Sequence, residues 1–477
     1  MKIALCALNG SWSHTNLAIR CLRAPLVREG FEVVLCEHTL RDRTAHIIEG
    51  LAGECADVYG FSCYIWNIVP LLDIAHALHQ IRPHAKIILG GPEVSFATER
   101  FATLDYIDAI VCGEGEEAML EICQKIAQNQ SFSRIISKNP LPYMRNEGIL
   151  YQNGEHTGEI LYYESSRGCP FRCAYCLSST DTHPRYKTVE QTIDDLKAFE
   201  RLDGGCKIIK FVDRTFNFNI DRANQIWRAL LSDTFSKHYH FEVCATLLNE
   251  ESFEIFAQFP KGKIQLEIGL QSTHIPTLEA SARHLSPEKT IATAKRIFEM
   301  GNIHVHLDLI AGLPYETYAR FAQSFDDAYG SCHMLQLGFL KLLHGTALRE
   351  HKEQYGYAFL QNPPYTVLQN NWMSYEDLQK LSHMAEVLDR YFESGRFAHT
   401  LWYLTPLMTS PFHFWEGLTT YIRTQDHRPL QRISQPDAYR YLLLYAKEAL
   451  PVLEDELREM LRADFREGEH KAPPHFL

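Results

Sequence analysis

An α/β architecture follows from three features of this 477-residue chain. Short apolar runs alternate with amphipathic stretches. The runs are apolar along nearly their whole length, as strands covered on both faces are, and the alternation lapses once and then resumes. In the first stretch KIALCA, FEVVLC, DVYGFS, KIILGG and YIDAIVCG read as strands. Helices such as NLAIRCLRAPLVREG, VPLLDIAHALHQI and EEAMLEICQKI separate them. Five such steps predict a doubly wound parallel sheet over residues 1–130, with its ligand outside the carboxyl ends of the strands.

Residues 131–160 read as a linker with a small hairpin, because NPLPYMRNEGILYQNGEHTGEI places prolines and an Asn-Gly turn between short extended pieces. Alternation returns over 161–345 with ILYYESS, KIIKFVD, HFEVCATL, KIQLEIGLQ, IHVHLDLIAG and HMLQLGFLKL as strands. Six βα steps exceed an accessory sheet and fall short of a closed eight-step barrel, which predicts a partial (β/α)6, TIM-like barrel with its site at one rim. Residues 346–477 read as a mainly helical domain, in which Trp402, Tyr403, Phe412, Phe414 and Trp415 are expected to form core.

Composition narrows the setting. A formal charge of -12 leaves a nucleic-acid role unsupported, since phosphate backbones are gripped by clustered positive charge. Lys2 precedes an apolar run that breaks at Asn9, so neither a signal peptide nor a membrane span of about 20 apolar residues is expected, and a cytoplasmic location is. Thirteen cysteines without a regular framework fit a reducing compartment where thiols are free or bind metal.

Within GCPFRCAYCL, Cys169, Cys173 and Cys176 form a C-x3-C-x2-C run just after a strand. Structural zinc takes four closed ligands, which His183 would complete. Three thiolates alone suit a 4Fe-4S cluster with one iron left open. The run, with aromatic Tyr175 before its last cysteine and a six-step βα array behind it, resembles the radical S-adenosylmethionine superfamily. The resemblance implies that the open iron takes the amino and carboxylate groups of S-adenosylmethionine. It also implies that an electron, from a donor such as flavodoxin or ferredoxin, releases a 5'-deoxyadenosyl radical. Further cofactor contacts are then expected at successive strand ends: Asp213 in FVDRTFN, Glu267 and Gln271 in LEIGLQS, and Asp308, Gly312 and Pro314 in DLIAGLPYET. Each also has a plainer reading as helix cap, backbone partner or turn.

The front sheet offers two readings. GEGEEA matches G-x-G-x-x-A, but it follows the fifth strand instead of the first, and Glu114, Glu116 and Glu117 would repel a pyrophosphate. Ser62, then Gly90, Gly91 and Ser95, then Gly113 and Gly115, at the ends of the third, fourth and fifth strands, resemble the loops of the cobalamin-binding domain that precedes many radical S-adenosylmethionine enzymes. By that resemblance their small side chains admit the corrin to the backbone. WSHTNL keeps His14 of the cobalt-ligating D-x-H-x-x-G pattern but has Trp12 for its aspartate and Leu17 for its glycine. The C-terminal region resembles the tail of an uncharacterised subgroup of these proteins.

The expectation is a flavodoxin-like (Rossmann-like) cobalamin domain, a radical S-adenosylmethionine core and a helical cap. Together they imply methyl transfer from methylcobalamin to an unactivated carbon of an unspecified substrate. The rivals are cyclisation or rearrangement without methyl transfer, and a non-catalytic corrinoid or iron-sulfur sensor.

Overall fold

The computed structural model describes residues 1–155, 160–202, 206–470 and 472–477. Strands β1 (Lys2–Asn9), β2 (Glu32–Thr39), β3 (Val58–Ser62), β4 (Lys86–Gly90), β5 (Ala109–Cys112) and β6 (Ile135–Ser137) form one parallel sheet in the order β2-β1-β3-β4-β5-β6. Two apolar cores sandwich it. One face buries Ala4, Cys6, Tyr59 and Phe61, the other Ile3, Leu5, Val58 and Ile88, so successive residues of one strand feed opposite cores. The sheet corrects the sequence reading at one edge. Ile135–Ser137, assigned there to the linker, is a sixth strand pairing Ile110 with Ile135; three residues are too short for an alternation to register. Asn153 and Gly154 do turn, and the returning arm of the expected hairpin, residues 156–159, lies outside the described residues.

The second sheet begins with β7 (Ile160–Tyr163), after which β8 (Ser166–Arg167) and β9 (Arg185–Tyr186) form a short antiparallel ribbon. Strands β10 (Ile208–Phe211), β11 (His238–Val243), β12 (Ile264–Gln271), β13 (His304–Ala311) and β14 (Met334–Phe339) complete a parallel array in the order β14-β13-β12-β11-β10-β7. Here burial alternates. In β12, Ile264, Leu266 and Ile268 are buried, whereas Gln265, Glu267 and Gly269 between them are half-buried. This is the pattern of a partial TIM-like barrel with helices on its outer face.

The edge strand β7 is capped by side chains. Tyr151 Oη accepts from Tyr162 N at 3.1 Å and donates to Tyr162 O at 3.0 Å, standing in for a neighbouring strand. Four long helices, Tyr375–Leu388, Pro411–Gln425, Gln435–Ala449 and Glu454–Glu469, are the main elements of the C-terminal region and share one apolar core with the barrel. Phe412, Phe414 and Trp415 are buried there as expected, but Trp402 is 81% exposed and is not core. All thirteen cysteines are free, and no helix among the described residues is long and apolar enough to cross a membrane.

Candidate active site and cofactor sites

The cysteine loop is the connection between β8 and β9, so the ribbon pins both its ends through Ser166↔Tyr186 and Arg167↔Arg185. Gly168, at φ +94, starts the turn, and Cys169 N donates to Asp181 O at 2.9 Å. Ala174 N donates to Ser281 O at 2.9 Å, while Ala174 O accepts from Leu348 N at 3.0 Å. A loop tied on three sides holds its side chains in place before any ligand arrives.

Cys169, Cys173 and Cys176 line one cleft of about 750 Å³ at the carboxyl ends of the barrel strands, together with Tyr175, Arg214, Glu242, Glu267, Gln271, Arg283 and Asp308. Exposed His183 does not line it, which leaves the closed Cys3His zinc reading without its fourth ligand. Arg283 donates to Cys173 Sγ at 3.5 Å and to Tyr175 Oη at 3.4 Å, and it also reaches the Gly269 carbonyl. Burial pushes the Cys169 thiol up, and a metal is what draws such a group into its thiolate form. The buried Gln271 Oε1 has no hydrogen-bond partner, and Gln271 adopts a left-handed φ of +72. Three convergent sulfurs, flanking cations and an orphaned amide oxygen fit an iron-sulfur cluster carrying a polar ligand on its open iron.

Other expected contacts sit away from the cleft. Asp213 is fully buried and accepts from Ser165 N at 2.8 Å, Ser165 Oγ at 2.6 Å and Ser166 Oγ at 2.7 Å; it secures the strand end that leads into the cysteine loop. Gly312, at φ +91, and Pro314 lie under the C-terminal region, where Tyr357 Oη at 3.0 Å and Asn370 Nδ2 at 2.9 Å donate to Gly312 O. Neither lines the cleft, because the C-terminal chain covers that turn. Glu316, two residues on and not singled out from sequence, accepts from Ser272 Oγ at 2.5 Å and Ser324 Oγ at 3.1 Å, and its burial pushes its carboxyl up to about 7. It fastens the end of β12 to the helix Tyr318–Ala328.

On the first sheet, the small residues largely serve loop packing. A Cβ on Gly91 (φ +109) would sit 2.5 Å from Cys63 O, and one on Gly115 would meet Leu22 at 3.0 Å. Ser95 Oγ donates to Gly91 O at 2.8 Å and accepts from Gly113 N at 3.1 Å, stapling two loops together. Ser62 is buried at the end of β3, and Gly90 sits against Val111. Gly113 alone of these glycines faces open space. Exposed aromatics stand on the same rim: Trp66 (50% exposed) stacks on Tyr64 at 4.3 Å, and Trp12 is 56% exposed. Open backbone at Gly113 and flat apolar rings at Trp66 and Trp12, all at the carboxyl ends of the strands, suit a large planar cofactor such as a corrin. His14 Nδ1 lies 2.6 Å from Tyr162 Oη on the barrel edge, and the nearby Lys210 charge and, more strongly, burial lower its pKa.

The two rims face each other. Arg167 pairs with Glu116 at 2.9 Å and Glu114 at 3.2 Å, Arg185 pairs with Glu114 at 2.5 Å, and Arg145 pairs with Glu117. The glutamates that spoil a dinucleotide fingerprint thus clamp the first sheet to the linker and to the ribbon holding the cysteine loop. Arg214, which lines the cysteine cleft, feels the charges of Glu242, Cys176 and Cys169 and, more weakly, that of Tyr64 on the first rim.

Known proteins resemble the chain region by region. Three family models match: "B12 binding domain" over residues 10–123, "Radical SAM superfamily" over 163–328 and "Protein of unknown function (DUF4080)" over 353–477. The chain is similar to an uncharacterized methyltransferase of Pyrococcus horikoshii, 24% identical over 420 residues that cover 80% of this chain and 86% of that one. It is also similar to the cobalamin-dependent radical SAM methyltransferase TokK of Streptomyces tokunonensis, 25% identical over 58% of this chain and 44% of that longer protein. In fold it resembles the radical S-adenosylmethionine methyltransferase TsrM of Kitasatospora setae, solved with cobalamin and a [4Fe-4S] cluster. That likeness has a TM-score of 0.66 at 15% identity, covering 89% of this chain and 98% of TsrM. The cysteine cleft falls in the region matched by the radical SAM model and the rim with exposed aromatic rings in the region matched by the B12-binding model, so the chain carries a B12-binding domain followed by a radical SAM domain.

Proposed function

We propose that the protein is a cobalamin-dependent radical S-adenosylmethionine methyltransferase that methylates an unactivated carbon. The ion pairs that tie the first rim to the ribbon of the cysteine loop, Glu114 and Glu116 with Arg167 and Glu114 with Arg185, support this reading most, because they hold the expected corrin loops against the domain that carries the cysteine cleft. When bound, the cluster and S-adenosylmethionine supply hydrogen abstraction, and methylcobalamin supplies the methyl group.

The chain's own residues position and enclose. Cys169, Cys173 and Cys176 hold the cluster, and Arg283 steadies Cys173 and Tyr175. Gln271, Glu267 and Asp308 face the cleft where S-adenosylmethionine would lie, and Asp213, Gly312 and Pro314 support it from behind. On the other rim Ser62, Gly90, Gly91, Ser95, Gly113 and Gly115 shape the loops against the corrin. His14, turned to Tyr162, braces the two domains. A one-electron donor such as flavodoxin or ferredoxin completes the system.

The test is an anaerobic incubation of cluster- and cobalamin-loaded protein with reductant, S-adenosylmethionine bearing a deuterated methyl group, and small-molecule extract. The proposal expects 5'-deoxyadenosine, S-adenosylhomocysteine and a product carrying the deuterated methyl on carbon. Deoxyadenosine without methyl transfer would indicate rearrangement, and absence of both nucleosides would indicate a sensor.

A further inference from the structure

The inner face of the barrel carries ionisable side chains at alternate strand positions, below the cysteines. His240 stands on β11, Glu267 on β12, and His306 and Asp308 on β13, with Glu267 directly beside His306 in register. One donor atom each from Glu267, His306 and Asp308 lies within 4.8 Å of the other two. His306 is 5% exposed and His240 8%. His306 Nε2 stands 3.0 Å from Asp308 Oδ1, and His240 Nε2 stands 2.8 Å from Glu267 Oε2. Both are ion-pair contacts, and His240 Nε2, His306 Nε2 and Asp308 Oδ1 have no hydrogen-bond partner beyond them.

Two imidazoles and two carboxylates gathered on one inner face, paired by charge but with these three atoms lacking hydrogen bonds to protein, suit one shared partner. A cation meets that need, because imidazole nitrogens and carboxylate oxygens both turn lone pairs toward it. We propose that Glu267, His306 and Asp308, with His240 beside them, bind a divalent first-row metal ion. Mixed imidazole and carboxylate donors suit the manganese-to-zinc range. Glu267 and Asp308 also line the cysteine cleft, which gives the ion an entry path and leaves its open positions facing substrate. Lys210 Nζ, 3.2 Å from Glu267 Oε2, is the internal cation that the metal must displace. The site would hold an oxygen- or nitrogen-bearing group of the substrate, and it stands whether or not the reaction is methyl transfer.

The test uses anaerobically reconstituted holoprotein, whose oxidised cluster is diamagnetic, titrated with Mn²⁺ and read by the loss of the free-ion EPR signal. Saturable uptake of one ion per chain, reversed by Zn²⁺, is expected. His306→Gln should weaken uptake by about tenfold or more while cluster absorbance is unchanged. Lys210→Met should tighten it, because the competing charge is gone. No saturable uptake, or His306→Gln and Lys210→Met variants that bind as the parent does, would overturn the assignment.

Discussion

The two parallel sheets of this protein differ in what they do with their faces. In the first, β1 and β3 are buried on both sides between two apolar cores, so no ligand can enter the sheet and chemistry is confined to the rim. In the second, β12 and β13 bury one side chain of each pair against helices and give the other to an inner face lined by Glu267, His306 and Asp308. A doubly covered sheet can present a cofactor, whereas a half-covered one can enclose a substrate as well. The two rims meet through the Glu114, Glu116 and Arg167 contacts, so one domain can supply what the other uses.

The sharpest way to break this division is at the second rim. Replacing Cys169, Cys173 or Cys176 with Ala should abolish the cluster and all deoxyadenosine formation, read by iron content and product analysis, while corrin uptake by the first sheet persists. The first rim is tested by Gly91→Ala. With φ at +109 and Cys63 O 2.5 Å from the new Cβ, it should lose on the order of 2–3 kcal/mol in denaturant unfolding and impair cobalamin uptake while leaving cluster content intact.

A smaller effect concerns Glu316 behind the cleft. Its carboxyl is held at about 7, above the unfolded value, so the folded state binds the extra proton. That favours folding at low pH, and stability is lost as pH rises from the ordinary carboxylate range through about 7. Glu316→Gln should flatten this slope in thermal unfolding scans without removing it, because partial burial also raises the carboxyls of Glu242 and Glu393 to about 7. The smallest effect is expected at His14. Its loop WSHTNL lacks the aspartate and glycine that accompany a cobalt-ligating histidine, so the EPR spectrum of bound cob(II)alamin should show no protein-nitrogen splitting, and His14→Ala should leave it unchanged.

Both sheets and the cysteine loop were legible in the sequence because each rests on local pattern: apolar runs, and three thiols in eight residues. What escaped depends on distance along the chain. The strand Ile135–Ser137 is recruited by its neighbour, not by its own composition. Asp213 and Glu316 have the residue types of a cofactor contact, but Ser165, Ser166 and Ser272 occupy them. Trp402 sits on the outer side of a helix whose period alone did not reveal which face packs. The inner-face set was visible as the alternation H-x-H-x-D in IHVHLDL, where polar residues occupy every second place of an otherwise apolar strand.

The facing of the two rims is tested most directly by EPR of protein loaded with both cob(II)alamin and the reduced cluster. Adjacent paramagnets should broaden and split each other's signals, and the Cys176→Ala variant, lacking the cluster, should return the cobalt signal to its isolated form. Two unperturbed spectra that simply add would contradict a shared site between the domains.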